Sequence, residues 1–375
     1  MRPRILIFST AYLPHIGGSE LAIQHIAERL SGFDIDLVTG KLDSSDAPME
    51  LIGRVRVFRA GGRWSRLTLV LPKLLMPIAM AITALRLTRK HTYSVLHAYQ
   101  ASQAAAAASI VKLLRPHIPF LVTLQEGKIL SEQSWLTRLV RTYIIRRADA
   151  ITAISRYLAE YATQFTHVPI HIIPNGVDIA TMHLSDAPRE PHMIMTVSRL
   201  VEKNNVENLI RALPIVRATV PDARLVVVGS GRLMESLKML TTDLGIRGEV
   251  EFVGAINHNK LGAILATAGV FARPSLSEGF GSVFIEAMAA RVPVVASAVG
   301  GIVDIVHDNE TGLVCDPKNP EDIARAIIRY MTDESLRTRI VATAEQFVQA
   351  YDWSAIAQQM IAVYSSIKLA RNHDQ

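Results

Sequence analysis

Short apolar runs separated by helix-length segments recur from one end of this 375-residue chain to the other, and that alternation constrains the fold more than any other feature. Strands covered on both faces read as continuous apolar runs, and strands that alternate with helices build parallel sheets. In the first half the runs are RILIFS, DIDLVT, VRVFRA, SVLHAY, FLVTLQ, AITAIS and IHIIP; after IIPNGVD the series restarts as MIMTVS, RLVVVG, VEFVG, GVFARP, PVVAS and GLVCD. Pro174, Asn175 and Gly176 mark a turn between the two series. The pattern predicts an N-terminal Rossmann-like domain over 1–173, a linker over 174–191 and a C-terminal domain over 192–352. A last helix over 353–375 is expected to pack back toward the N-terminal domain.

Ligands of doubly wound sheets sit beyond the carboxyl ends of the strands, so two such halves predict a cleft between domains. Hydrophobic residues at 49% and charged residues at 20% exclude a disordered chain. A single cysteine, Cys315, excludes an intramolecular disulfide and a cysteine-based zinc site, and points to a reducing cytoplasm. The apolar stretch opening MRPRILIF is shorter than a signal-peptide core and reads as a first strand. Residues 67–87 hold fifteen apolar residues but are interrupted by Pro72, Lys73, Pro77 and Arg86, which favours a buried or interfacial helix over a membrane span.

Charge is distributed unevenly. Residues 1–170 carry net +10 and residues 171–375 net −4, and residues 51–125 contain eleven basic residues and no acidic one. A one-signed field beside an apolar helix points to an anionic partner such as a membrane surface or lipid diphosphate. No nucleic-acid-binding motif or aromatic stacking pattern accompanies it.

The densest chemistry lies in EGFGSVFIE, which places Glu278 and Glu286 around Gly279 and Gly281, directly before a helix-like run. Glycine adopts backbone angles closed to other residues, and the free N–H groups of a first helical turn attract an anion. The glycines put Glu278 in the loop and Glu286 about one turn inside the helix, where the two carboxylates would accept hydrogen bonds from hydroxyls of two rings. Arg199 and Lys203 follow the strand MIMTV and stand four residues apart, a spacing suited to neutralising a departing diphosphate. Gly17 and Gly18 open a helix after the first strand without the spacing of a dinucleotide fold or a P-loop. Gly229 and Gly231 form another strand-to-helix turn, equally suited to a nucleotide base or ribose and to plain chain reversal. Each residue taken singly has a bland reading, as a solvated charge or a tight turn; the set taken together does not.

That set, in SRLVEKNN, VGSG, PSLSEGFGSVFIEAMAARVPVVAS, GGIVDIV and ETGLVCDPKNPEDIA, resembles the donor half of retaining glycosyltransferase family four. AYLPHIGGSELAIQHIAERL, LHAY and IIPNGVD agree with its N-terminal half. The resemblance implies an α/β GT-B fold, with two doubly wound Rossmann-like domains facing across a cleft. It also implies transfer of a sugar from a nucleotide diphosphate with retention at the anomeric carbon. No metal or resident cofactor is implied, the nucleotide-diphosphate sugar being a co-substrate. By position, Arg199 and Lys203 resemble the diphosphate pair, Glu278 the residue holding sugar hydroxyls and Glu286 the one gripping the ribose. The backbone of Gly279, Phe280, Gly281, Ser282 and Val283 would meet sugar and phosphate, with Gly18, beside Gly17, meeting the phosphate from the N-terminal domain.

Two departures stand out. Lys203 is followed by Asn204 where the family often has glycine, a change expected to alter only the start of a helix. Many members carry a histidine after the strand that here ends LVTLQEG; Gln125 and Glu126 take its place as candidate acceptor or sugar contacts, with His97 and His15 near other strand ends, where a lone histidine is more often structural than a contact. The expected activity is transfer of a hexose, from a UDP-sugar in preference to a GDP-sugar, to a glycan or lipid-linked acceptor, as in cell-surface polysaccharide or lipopolysaccharide synthesis. The expected setting is cytoplasmic, peripheral at the inner face of the membrane through residues 51–125, with no nucleic acid. The rival readings are a non-catalytic subunit that binds a nucleotide sugar or lipid, and a nucleotide-sugar epimerase.

Overall fold

A computed structural model describes residues 2–15, 17–61, 72–125, 134–182 and 188–372. The chain divides into two compact units, one formed by Met1–Asn175 with Trp353–Gln375 and the other by Gly176–Asp352. The division thus falls inside the expected linker, most of whose described residues belong to the second unit.

The first unit runs β1 (Arg4–Phe8), α1 (Gly18–Arg29), β2 (Asp34–Gly40), β3 (Met49–Ile52), β4 (Val55–Ala60), α2 (Pro72–Lys90) and β5 (Val95–Tyr99), followed by α3 (Gln103–Leu114), β6 (Phe120–Leu124), α4 (Trp135–Arg147), β7 (Ala150–Ala153), α5 (Arg156–Thr163) and β8 (Ile170–Ile172). Its eight-stranded sheet has the order β3-β4-β2-β1-β5-β6-β7-β8. Every pairing is parallel except β3 with β4, which is antiparallel. The apolar runs read as strands all form strands; β3 is an addition. β5, β6 and β7 are buried at every residue, as strands covered on both faces must be.

The second unit runs α6 (Ile179–Met182), β9 (Glu190–Val197), α7 (Val206–Thr219), β10 (Arg224–Val228), α8 (Met234–Asp243) and β11 (Val250–Gly254), followed by α9 (Leu261–Leu265), β12 (Ala268–Arg273), α10 (Ser282–Ala289), β13 (Val294–Ser297), β14 (Leu313–Cys315), α11 (Pro320–Thr332) and α12 (Glu334–Val348). Its six strands, all parallel, lie in the order β11-β10-β9-β12-β13-β14. This doubly wound order reverses its direction of growth between β9 and β12, which marks the ligand-binding edge. A short strand bridge joins Val177 to Asp352, so the chain enters and leaves this unit at neighbouring points.

The last helix, α13 (Trp353–Asn372), packs within the first unit. Trp353, Ile356, Met360, Val363 and Tyr364 join the core formed by β1, β2, β4 and α1, and His25 of α1 stacks on Trp353 at 5.0 Å between ring centroids. The alanine run 104–108 lies in α3, where Ala104, Ala105, Ala107 and Ala108 are all buried. No helix among the described residues is long and apolar enough to cross a membrane. Among the described residues of 51–125, Arg56 is paired with Asp36, Arg59 with Glu50 and Lys112 with Asp149. The field expected from that segment is correspondingly smaller, because all three partner carboxylates lie outside the window over which the charge is summed.

Candidate active site

Strands β9 and β12 are hydrogen-bonded neighbours, so the loops leaving their carboxyl ends run side by side. The β9 loop carries Arg199 and Lys203; the β12 loop carries Glu278. Leu276 N–H donates to the Lys203 carbonyl at 2.7 Å and ties one loop to the other.

Two features of the β9 loop set its path. Gly229, at φ +131°, and Gly231 follow β10; a Cβ at Gly229 would stand 1.8 Å from the Ser198 carbonyl oxygen, and one at Gly231 2.3 Å from that of Leu200. Their lack of side chains is therefore needed for contact between two strand-end loops, whatever a ligand also requires. Asn204 is buried; its Nδ2 donates to the Arg199 carbonyl at 2.6 Å and its Oδ1 accepts from Arg273 Nη2 at 3.2 Å. The expectation that Asn204 changes only the start of a helix is corrected: its amide side chain braces the loop against the end of β12.

Glu278 is held from three sides. Arg273 pairs with its Oε2, Lys203 Nζ lies 3.8 Å from its Oε1, and Gly301 N–H donates to its carbonyl at 3.0 Å. Gly300 adopts φ +54°, and a Cβ there would lie 2.0 Å from the same carbonyl oxygen. Burial lowers the pKa of the Lys203 ammonium, the Arg273 and Arg199 charges lower it further, and Glu278 opposes them. Arg199 is exposed, and its guanidinium makes no hydrogen bond or ion pair among the described residues. Arg273 also lies over the Phe284 ring, 5.6 Å from its centroid. The sequence offered no sign of Arg273 beyond its place in GVFARP, because its role depends on residues from two loops and a helix.

The β12 loop ends at Gly281, whose φ of +92° starts α10 without a side-chain cap. The N–H groups of the first turn, which carry the positive end of the helix dipole, are thereby left uncovered by any capping side chain. Phe280 is buried and tilts against Tyr351 at 6.1 Å, so its backbone is the part that can serve a ligand; Ser282 and Val283 form the first turn. Glu286 sits one turn inside α10, its carboxyl 10% exposed and 3.8 Å from His258 Nε2. Burial raises its pKa to about 7, with the Arg273 charge opposing.

In the first unit the sheet reverses its growth between β1 and β5, and Gly17 and Gly18 lie at that edge. Space around Gly18 is open, whereas a Cβ at Gly17 would meet the Glu20 carboxylate at 2.6 Å. Gln100, at φ +68°, donates to Ser19 Oγ at 3.1 Å, and Ser19 Oγ donates to Glu20 at 2.9 Å. His97 is corrected as a candidate contact. It is wholly buried, with Nδ1 2.7 Å from the Tyr364 hydroxyl and Nε2 2.6 Å from Thr123 Oγ1, and burial lowers its pKa to about 3. It is a neutral core histidine. His15 Nε2 lies 3.3 Å from Asp46. Gln125 donates to Asn175 Oδ1 at 3.1 Å, and Glu126 falls outside the described residues.

Two doubly wound units, one with clustered cations and an uncapped helix terminus at its switch point, define a GT-B glycosyltransferase architecture. The chain belongs to glycosyltransferase family 4: residues 183–347 match the model of glycosyl transferases group 1, and residues 16–181 that of glycosyltransferase family 4. A GDP-mannose-dependent alpha-(1-6)-phosphatidylinositol monomannoside mannosyltransferase of Mycolicibacterium smegmatis is 32% identical over 64% of this chain and 69% of its own length. Among solved structures, sucrose-phosphate synthase of Thermosynechococcus elongatus aligns with a TM-score of 0.82 at 24% identity, covering 98% of this chain and all of its own. HepE of Anabaena, in complex with UDP and glucose, aligns with a TM-score of 0.80 at 21% identity, covering 97% of this chain and all of its own.

Proposed function

We propose that the protein transfers a hexose from a nucleotide-diphosphate sugar to a glycan or lipid-linked acceptor, with retention at the anomeric carbon. The observation that carries this reading is the meeting of Lys203, Glu278 and the uncapped N-terminus of α10 at the switch point of the second sheet. The donor diphosphate lies against Lys203, Arg199 and the N–H groups of Gly281, Ser282 and Val283. Negative charge grows on that diphosphate as the glycosidic bond breaks, so fixed positive groups bind the transition state more tightly than the ground state. Glu278 accepts hydrogen bonds from the sugar hydroxyls, and Glu286 from the ribose. The acceptor hydroxyl attacks on the face from which the diphosphate leaves, and a departing phosphate oxygen takes its proton. This route needs no resident cofactor or metal.

The mycobacterial relative is GDP-mannose-dependent by name, and HepE was solved with UDP. UDP-sugars remain the donors expected here, with GDP-mannose as the competing arm. The acceptor is assigned to the first unit and to the cytoplasmic side of a membrane. Incubating the protein with each donor and a panel of glycan and lipid-linked acceptors, then reading the product by NMR, tests the proposal. A product whose anomeric configuration matches the donor supports it; an inverted product, an epimerised donor without transfer, or donor binding without turnover contradicts it.

A further inference from the structure

Helix α4 has its apolar side turned outward. Trp135, Leu136, Leu139 and Tyr143 are 77, 53, 62 and 51% exposed, and at about 100° per residue they fall on one face. The opposite face, with Arg141, Ile144 and Ile145, is buried in the unit. A helix whose outer face meets only water shows the reverse pattern, and contiguous exposed apolar surface marks an interaction site. Helix α3, which packs beside α4 and α2, ends in the exposed Leu113 and Leu114.

Charge identifies the partner. Helices α2, α3 and α4 together contain nine Lys and Arg and no Asp or Glu; of these, Lys112 is paired with Asp149 and Arg141 is buried. Arg138 is exposed beside the apolar face of α4, and Arg146 is exposed on that face at its C-terminal end, where Nε donates to the Phe165 carbonyl at 3.4 Å. Tryptophan and tyrosine settle at the boundary between headgroups and acyl chains, and flanking arginines reach the phosphates. We propose that α4 is an interfacial helix that seats the first unit on an anionic lipid surface, with Trp135 and Leu139 inserted and Arg138 and Arg146 on the headgroups. Helix α4 lies outside the 51–125 segment singled out by net charge, and its proposed role does not depend on the donor chemistry.

The test is co-sedimentation of the full chain with phosphatidylcholine vesicles, with and without phosphatidylglycerol, over a range of salt. The expected result is binding to the phosphatidylglycerol vesicles that weakens as salt rises. Trp135→Glu with Leu139→Glu should lower partitioning about tenfold or more. Arg138→Gln with Arg146→Gln should do the same for the anionic vesicles alone. All four side chains are exposed, so thermal unfolding of both variants should match the wild type. Equal binding to neutral and anionic vesicles, no binding at low salt, or undiminished binding by both variants would overturn the proposal. So would a stable dimer, seen by sedimentation equilibrium, that the Trp135→Glu, Leu139→Glu variant dissociates, since the face would then hold a second copy.

Discussion

Replacing Gly300 by alanine should damage catalysis as well as folding. The added methyl would stand 2.0 Å from the carbonyl oxygen of Glu278 and 3.1 Å from its carbonyl carbon, at a residue with φ +54°. An L-residue in that conformation costs about 1–2 kcal/mol by itself. The overlap with backbone cannot be relieved by rotating a side chain, so the turn or the Glu278 backbone must move by about 1 Å, and the Gly301 hydrogen bond to Glu278 goes with it. Total destabilisation should be about 2–4 kcal/mol. A displacement of about 1 Å at a positioning group can cost about a hundredfold in rate. Release of nucleoside diphosphate from an accepted donor and acceptor, measured well below the unfolding transition, should therefore fall about a hundredfold. Gly248→Ala is the control: no atom lies within 4 Å of its Cβ position, and it should change stability by less than about 0.5 kcal/mol. A folded Gly300→Ala protein with turnover within twofold of wild type would refute the claim that this turn sets Glu278.

Three further outcomes follow from the same contacts. Asn204→Ala leaves the Arg199 carbonyl and an Arg273 donor unmatched in a buried position, and should cost about 2–4 kcal/mol by chemical denaturation together with a large loss of turnover. Burial raises the Glu286 pKa in the folded protein to about 7 from 4.5, so the native state holds this proton more tightly than the unfolded chain. That contribution is fully present below pH 4.5 and is lost as pH rises through about 7; Glu286→Gln should remove this slope from unfolding free energies measured across the window. His97→Ala should cost about 3–5 kcal/mol, by opening a cavity and stranding the hydroxyl of Tyr364, while leaving nucleoside diphosphate affinity unchanged in the folded protein.

What the sequence disclosed depended on how local the determinant is. The described apolar strands were legible because a covered parallel strand is apolar at nearly every position. β3 was not: it is a four-residue antiparallel edge strand whose Met49 and Leu51 face solvent, so it carries no apolar run. Glu278, Gly281 and Glu286 were legible together because a glycine turn and a helix start are written in consecutive residues. Arg273 was hidden in a strand-like run, and its tie to Asn204 spans 69 positions. The structural reading of a lone histidine holds for His97, but its partner was illegible, because Tyr364 lies 267 positions away. Gly229, Gly231 and Gly300 show a third case: glycine marked a turn, but the backbone each one admits comes from another segment.

The central claim is that Lys203 and the start of α10 hold the donor diphosphate. Calorimetric titration of the full chain with UDP and with GDP, repeated on Lys203→Ala, tests it most directly. Lys203 shares Glu278 with Arg273 in the site, and a charge-assisted contact to phosphate contributes about 1.5–3 kcal/mol. At least one of the two nucleotides should bind the wild type, and Lys203→Ala should weaken it about tenfold to a hundredfold without changing the unfolding temperature. Equal affinity in the folded variant, or no binding of either nucleotide to the wild type, would contradict the assignment.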